Sequence, residues 1–215
     1  MRFSLCKQPA YWISSTKTAR AIIGDFRKKL TDAFAHGLKK GSCHALDLAG
    51  KVSFSLLMLS IGVNHKELYV DSALSGGLYS SGDAFIPCRR TFLEIKSAKV
   101  KSGTENQFQI KKIRHRNTNW RYLIFVCRTK RLNDWLDPAE YNGCGFWIGV
   151  VDRETYMARL IANGLTNKTA IDVTVTPGTG AASNGSYCRS WLGDYIKWTK
   201  FEDIKDKNWW KETFL

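Results

Sequence analysis

Three residues in the middle of this 215-residue chain have the types and spacing to do chemistry together: Asp83, Glu94 and Lys96. Glu94 and Lys96 sit inside "RRTFLEIKSAKV" (89–100), which reads as a β-strand because Phe92, Leu93, Ile95 and Val100 supply apolar and β-branched weight. Successive strand residues point to opposite faces, so Glu94 and Lys96 share one face while Leu93 and Ile95 share the other. A buried charge costs several kcal/mol unless it is paired or holds a metal. An edge ion pair explains Glu-x-Lys alone. Asp83 adds more. It lies eleven residues before Glu94, in "SGDAFIPC", and the turn "PCRR" between two short strands makes a hairpin that brings Asp83 beside Glu94. Two carboxylates suit a hard cation such as Mg²⁺, which takes oxygen ligands and keeps several waters. Such a cation polarises a phosphate and helps make hydroxide from water. A lysine beside it orients that water and stabilises developing negative charge. These are the parts that phosphodiester hydrolysis needs.

The surrounding elements must hold those residues. "KTARAIIGDFRKKLTDAFAHGL" (17–38) repeats Ile22, Ile23, Phe26, Leu30, Ala33 and Phe34 at three- and four-residue steps, which predicts an amphipathic helix. A second helix is expected over 44–61, apolar on more than one face and therefore buried. "LYVDSALSGGLYSSGDAFI" places strand residues around a Gly/Ser turn. Residues 103–117, "GTENQFQIKKIRHRN", read as a helix. "RYLIFVCR" (121–128) and "GFWIGVVD" (145–152) are near-continuous apolar runs, as in strands buried on both faces. "RETYMARLIANG" predicts a short helix with a glycine stop, and "IDVTVTP" (171–177) a half-buried strand. The loop "GTGAASNGS" precedes a tail holding Trp191, Trp198, Trp209 and Trp210, anchors for a core or an interface. This order gives an α/β or α+β fold with a mixed sheet flanked by helices. The expectation is one domain over 1–215: an N-terminal helical part (1–65), a core carrying the site (66–178) and an aromatic extension (179–215).

Charge indicates what the site would meet. Lysine and arginine number 33 against 19 acidic residues, a net charge of +14, which favours a polyanionic partner. Between 96 and 121 lie Lys96, Lys99, Lys101, Lys111, Lys112, Arg114, Arg116 and Arg121, with Glu105 the only acid. Solvated faces normally mix signs. This one does not, and it reads as a wall that contacts phosphates. Asn117, Asn119, Arg128, Lys130, Arg131, Asn133, Asn142, Asn184, Ser186 and Arg189 are further loop-borne donors, suited to base edges or phosphates. The six cysteines include no C-x-x-C pair, and the four histidines lack metal-binding spacing. No Gly-Lys-Ser/Thr phosphate loop is present. The longest apolar run, "VSFSLLMLSIGV", is too short for a bilayer, and "MRFSLCKQPAYW" lacks the apolar stretch of a secretory signal. A soluble, cytoplasmic protein with no membrane partner is expected.

The spacing D-x10-E-x-K of Asp83, Glu94 and Lys96 resembles the PD-(D/E)xK nuclease motif. The segment that follows, "QFQIKKIRHRNTNWRYLIFVCR", is also similar to that superfamily, and the chain looks most like a type II restriction endonuclease. The resemblance covers about residues 70–128, and more vaguely "VTVTP" and "WLGDYIKW" beyond. It implies a restriction-endonuclease-like core in which Asp83, Glu94 and the Ile95 carbonyl bind Mg²⁺, with Mn²⁺ as a substitute. It also implies that Lys96 serves the nucleophilic water and that Gln109 assists at the site. Lys99, Lys101, Lys111, Lys112, Arg114, Arg116, Asn117 and Asn119 would contact DNA. Gly82 stands where the family pattern has proline. Asp71 is a rival first carboxylate, and Asp47 a candidate acid from the preceding helix. The implied partners are double-stranded DNA, a second copy in a homodimer and a companion DNA methyltransferase. A repair, nicking, junction-resolving or phage nuclease of the same superfamily is an alternative, as is a DNA-binding protein without catalysis.

Overall fold

The structure, a computed structural model, describes residues 43–64, 66–70, 82–99, 107–116, 118–128, 145–177 and 191–215. The expected helix at 17–38 and the loop at 178–186 lie outside the described residues.

Helix α1 runs Cys43–Ser60 and buries Val52, Phe54, Leu56, Leu57 and Met58, the two-sided burial its sequence predicts. It stops where Gly62 takes a φ of +89°. Val63 N–H then reaches the Met58 carbonyl at 3.0 Å and Gly62 N–H the Leu59 carbonyl at 3.1 Å, which satisfies two end carbonyls.

Strands β1 (Tyr69–Val70), β2 (Ala84–Ile86) and β3 (Thr91–Lys99) pair antiparallel in sequence order. β3 then pairs parallel with β5 (Trp120–Arg128), which pairs antiparallel with β6 (Phe146–Asp152). β8 (Lys197–Lys200) closes the edge on β6. The six-stranded sheet therefore has the order β1-β2-β3-β5-β6-β8 and is mixed. A parallel pair needs a long crossover. The one from β3 to β5 contains a strand of its own, β4 (Phe108–Arg114), which pairs antiparallel with β7 (Ala170–Val175) in a separate two-stranded ribbon.

Two apolar cores cover the two faces of the main sheet. Leu93, Ile95, Ile124, Val126 and Ile148 meet α1 and the C-terminal helix α3 (Asn208–Phe214), whose Trp210 and Phe214 are buried there. Leu123, Phe125, Cys127 and Val151 meet the β4–β7 ribbon and helix α2 (Arg153–Ala162). Burial on both faces explains the unbroken apolar runs of β5 and β6. Helix α2 starts at Asp152, whose carboxylate accepts from Thr155 N–H at 2.8 Å, and ends before Gly164 at φ +64°. The aromatic extension is part of this architecture, because β8 completes the sheet and α3 closes one core. Among the described residues no helix is long and apolar enough to cross a membrane.

One expected element is corrected. Residues 108–114 form a strand, not part of a helix. Phe108 and Ile110 alternate inward as a strand should, but the next inward residue is Ile113. The register slips between Ile110 and Ile113, where Lys112 adopts φ +57° and its N–H is held by the Asp172 carboxylate at 2.9 Å. A bulge adds one residue to a strand. The resulting three-residue step imitates helical periodicity.

Candidate active site

The hairpin places the charged residues as its length predicts. β2 and β3 pair with Ala84 opposite Leu93, and the turn Pro87–Arg89 ends at Arg90 with φ 49°. The ladder continues one step beyond β2, as Asp83 N–H donates to the Leu93 carbonyl at 2.8 Å. That step sets Asp83 across from Glu94. Gly82 makes the approach possible: a Cβ there would stand 2.7 Å from the Leu93 carbonyl oxygen. Any residue with a side chain would bring such a carbon, which gives a physical reason for glycine at this position.

The Asp83 carboxylate takes over where the ladder stops. Its Oδ2 accepts the Ile95 N–H at 2.9 Å. The N–H and C=O of one strand residue leave on the same edge, so the Ile95 carbonyl faces the Asp83 side. Lys96 Nζ lies 2.6 Å from Glu94 Oε1 and 4.0 Å from Asp83 Oδ2. One ammonium thus serves both carboxylates. A fourth charge comes from α1, where Lys51 Nζ is 2.7 Å from Asp83 Oδ1. Gly50 allows this, because α1 packs so tightly on β3 that a Cβ at position 50 would fall 2.3 Å from the Ser97 Cβ. Lys51 and Glu94 are 8% and 9% exposed, so neither charge is ordinary surface decoration.

Asp83, Glu94 and Lys96 are therefore brought together, with the Ile95 backbone beside them. Lys51 is the residue that sequence reasoning missed. Its signal was present: it is the only lysine or arginine in a mostly apolar helix. Gln109 is exposed on β4, on the side of the strand away from the inward Phe108 and Ile110. Lys111, Lys112 and Arg114 are exposed on the same strand, and Asn119 is exposed just before β5. Arg116 is exposed and its Nη2 donates to the Thr166 carbonyl at 2.6 Å. Lys99 closes β3, but its side chain, like that of Asp47 on α1, lies outside the described residues, as do Lys101, Asn117 and Asp71. Arg128 is corrected as a loop-borne donor. It ends β5, is 0% exposed and lies 4.8 Å over the Phe146 ring.

The oxygens present suit a hard cation. The Lys96 ammonium lies between the two carboxylates, within 4.0 Å of each. Among the described residues no three acidic, histidine or cysteine side chains gather. A cation would draw on Asp83, Glu94, the Ile95 carbonyl, water and substrate oxygen, a set that fits Mg²⁺ better than a softer ion.

Compared with family models, with curated proteins and with solved structures, the chain matches none.

Proposed function

We propose that this chain is a Mg²⁺-dependent endonuclease of the PD-(D/E)xK type that hydrolyses phosphodiester bonds of double-stranded DNA at a short specific sequence, as type II restriction endonucleases do. The observation that carries the reading is the convergence of Asp83, Glu94 and Lys96, with one ammonium between two carboxylates on adjacent strands. A mixed sheet flanked by helices agrees with the core this family implies. In this reading Asp83, Glu94 and the Ile95 carbonyl hold the cation. The cation supplies Lewis acidity to the scissile phosphate and lowers the pKa of a bound water. Lys96 orients the attacking water and places positive charge where negative charge develops.

The ribbon β4–β7 supplies the phosphate-contacting surface. Lys111, Lys112 and Arg114 project from its exposed side, with Arg116 beyond them. Three of the eight basic residues of the wall, Lys111, Lys112 and Arg114, thus lie on one strand. A palindromic target would match a homodimer, and host DNA would need a companion methyltransferase.

One observation favours a second reading, a DNA-binding protein without catalysis. Asp83 caps the β3 edge by accepting Ile95 N–H, a structural role sufficient to retain it. Plasmid cleavage separates the two. Unmethylated plasmids incubated with the protein and Mg²⁺ should yield discrete fragments, absent with EDTA. A smear supports a non-specific nuclease, and nicked circles a nicking or repair enzyme. Uncut but gel-retarded DNA across several plasmids supports binding alone.

A further inference from the structure

Asp83 carries more positive charge than a metal ligand needs. Lys51 stands 2.7 Å from its Oδ1, while Oδ2 faces Lys96 at 4.0 Å and holds the Ile95 N–H. With Glu94, the four side chains form, among the described residues, a quartet of two cations and two anions. A divalent cation on Asp83 and Glu94 would place two further positive charges beside both ammoniums, and like charges at such distances repel strongly in a partly desolvated site. Lys96 is shared between the carboxylates, whereas Lys51 approaches Asp83 from a different element, helix α1.

Building on the nuclease reading, we propose that Lys51 is a competing counter-ion for Asp83: it occupies the metal-binding carboxylate in the free protein and keeps cation affinity low until the anionic phosphodiester arrives. The phosphate offsets the excess charge, so cation and DNA load together. A water-activating cation is thereby withheld from the protein when no substrate is present. Lys51 is a positioning residue in this account, acting through Asp83.

The test reads metal affinity in DNA-free protein, by titrating Mn²⁺ and following the free-ion electron paramagnetic resonance signal. Lys51→Met should bind Mn²⁺ about tenfold more tightly than the wild type, the scale expected from removing one like charge close to the ion. Lys51→Arg should keep wild-type affinity. Adding Asp83→Asn to Lys51→Met should abolish the gain. A damaged fold weakens binding, so tighter binding cannot come from misfolding; should Lys51→Met not fold, Lys51→Gln carries the same expectation. Unchanged or weaker affinity in the folded variant, with wild-type binding that Asp83→Asn removes, overturns the role of Lys51 and leaves the metal site standing. Absence of Mn²⁺ binding at millimolar concentration in all of these proteins overturns both.

Discussion

Two regions of this molecule bury polar atoms, and they do so in opposite ways. In the quartet at the β2–β3 hairpin, each charged group lies within 4.0 Å of an opposite charge. Its side chains keep between 9% and 17% exposure. Beneath the β4–β7 ribbon, Tyr156 is fully buried among Trp120 at 5.4 Å, Trp191 at 5.5 Å and His115 at 6.4 Å. There the Tyr156 hydroxyl and the Trp191 indole nitrogen make no hydrogen bond among the described residues. Burial pushes the Tyr156 phenol far up and holds it neutral. The aromatic group tolerates unsatisfied polar atoms in return for ring packing, which is how a structural core behaves. The quartet keeps charges paired and within reach of solvent, which adds little to stability and is what the proposed chemistry would need.

The largest effect that would break this comparison is catalytic. Asp83→Asn, Glu94→Gln and Lys96→Met should each lower DNA cleavage by about a hundredfold or more, measured in single-turnover assays. Each variant should still unfold in one cooperative thermal transition, so that the loss is read on folded protein. Full activity in any of the three would move that residue to the structural class.

Next comes stability in the aromatic region. Trp120→Ala should cost about 3–5 kcal/mol in denaturant unfolding, from the packing removed and the cavity left behind. Tyr156→Phe should be neutral or stabilising by about 1 kcal/mol, because it removes a buried hydroxyl without a partner. Neither should change cleavage per folded molecule. A large loss on Tyr156→Phe would reveal a partner for the hydroxyl and erase the contrast.

The sequence made the quartet legible to three parts in four. A strand's two-residue period fixed Glu94 and Lys96 on one face, and the short turn fixed Asp83 opposite Glu94, so local rules sufficed. Lys51 stands out in the sequence as the one lysine of an apolar helix, but its pairing with Asp83 is not legible there, because it depends on how α1 crosses β3 at Gly50 and Ser97. The buried strands β5 and β6 were read correctly from their unbroken apolar runs. Strand β4 was misread because the bulge at Lys112, held by Asp172 some 60 residues away, changes the apolar step from two to three. Arg128 looked loop-borne because a charge at the end of an apolar run usually marks a strand's exit into solvent.

A smaller effect concerns the basic ribbon. Replacing Lys111, Lys112 and Arg114 together should weaken binding to all duplexes alike. The slope of log affinity against log salt should fall by about one for each phosphate no longer neutralised. An unchanged slope would separate the ribbon from DNA.

The smallest is a pH effect in the aromatic region. Burial, followed by the charges of Arg116 and Arg153, holds His115 below its ordinary value of 6.5. The unfolded chain therefore takes up this proton at higher pH than the folded one. Stability should decline as pH falls below about 6.5, until the folded histidine also protonates. His115→Gln should remove that part of the pH dependence. If the decline is unaltered, another group is responsible.

Asp83 and Glu94 are proposed to share one cation. Anomalous diffraction from crystals of the protein bound to duplex DNA and soaked in Mn²⁺ tests it most directly. The account predicts a peak bounded by the Asp83 and Glu94 carboxylates, absent from Asp83→Asn crystals. A DNA-bound structure with Mn²⁺ elsewhere, or with Lys96 and Lys51 still seated on both carboxylates and no ion between them, would contradict it.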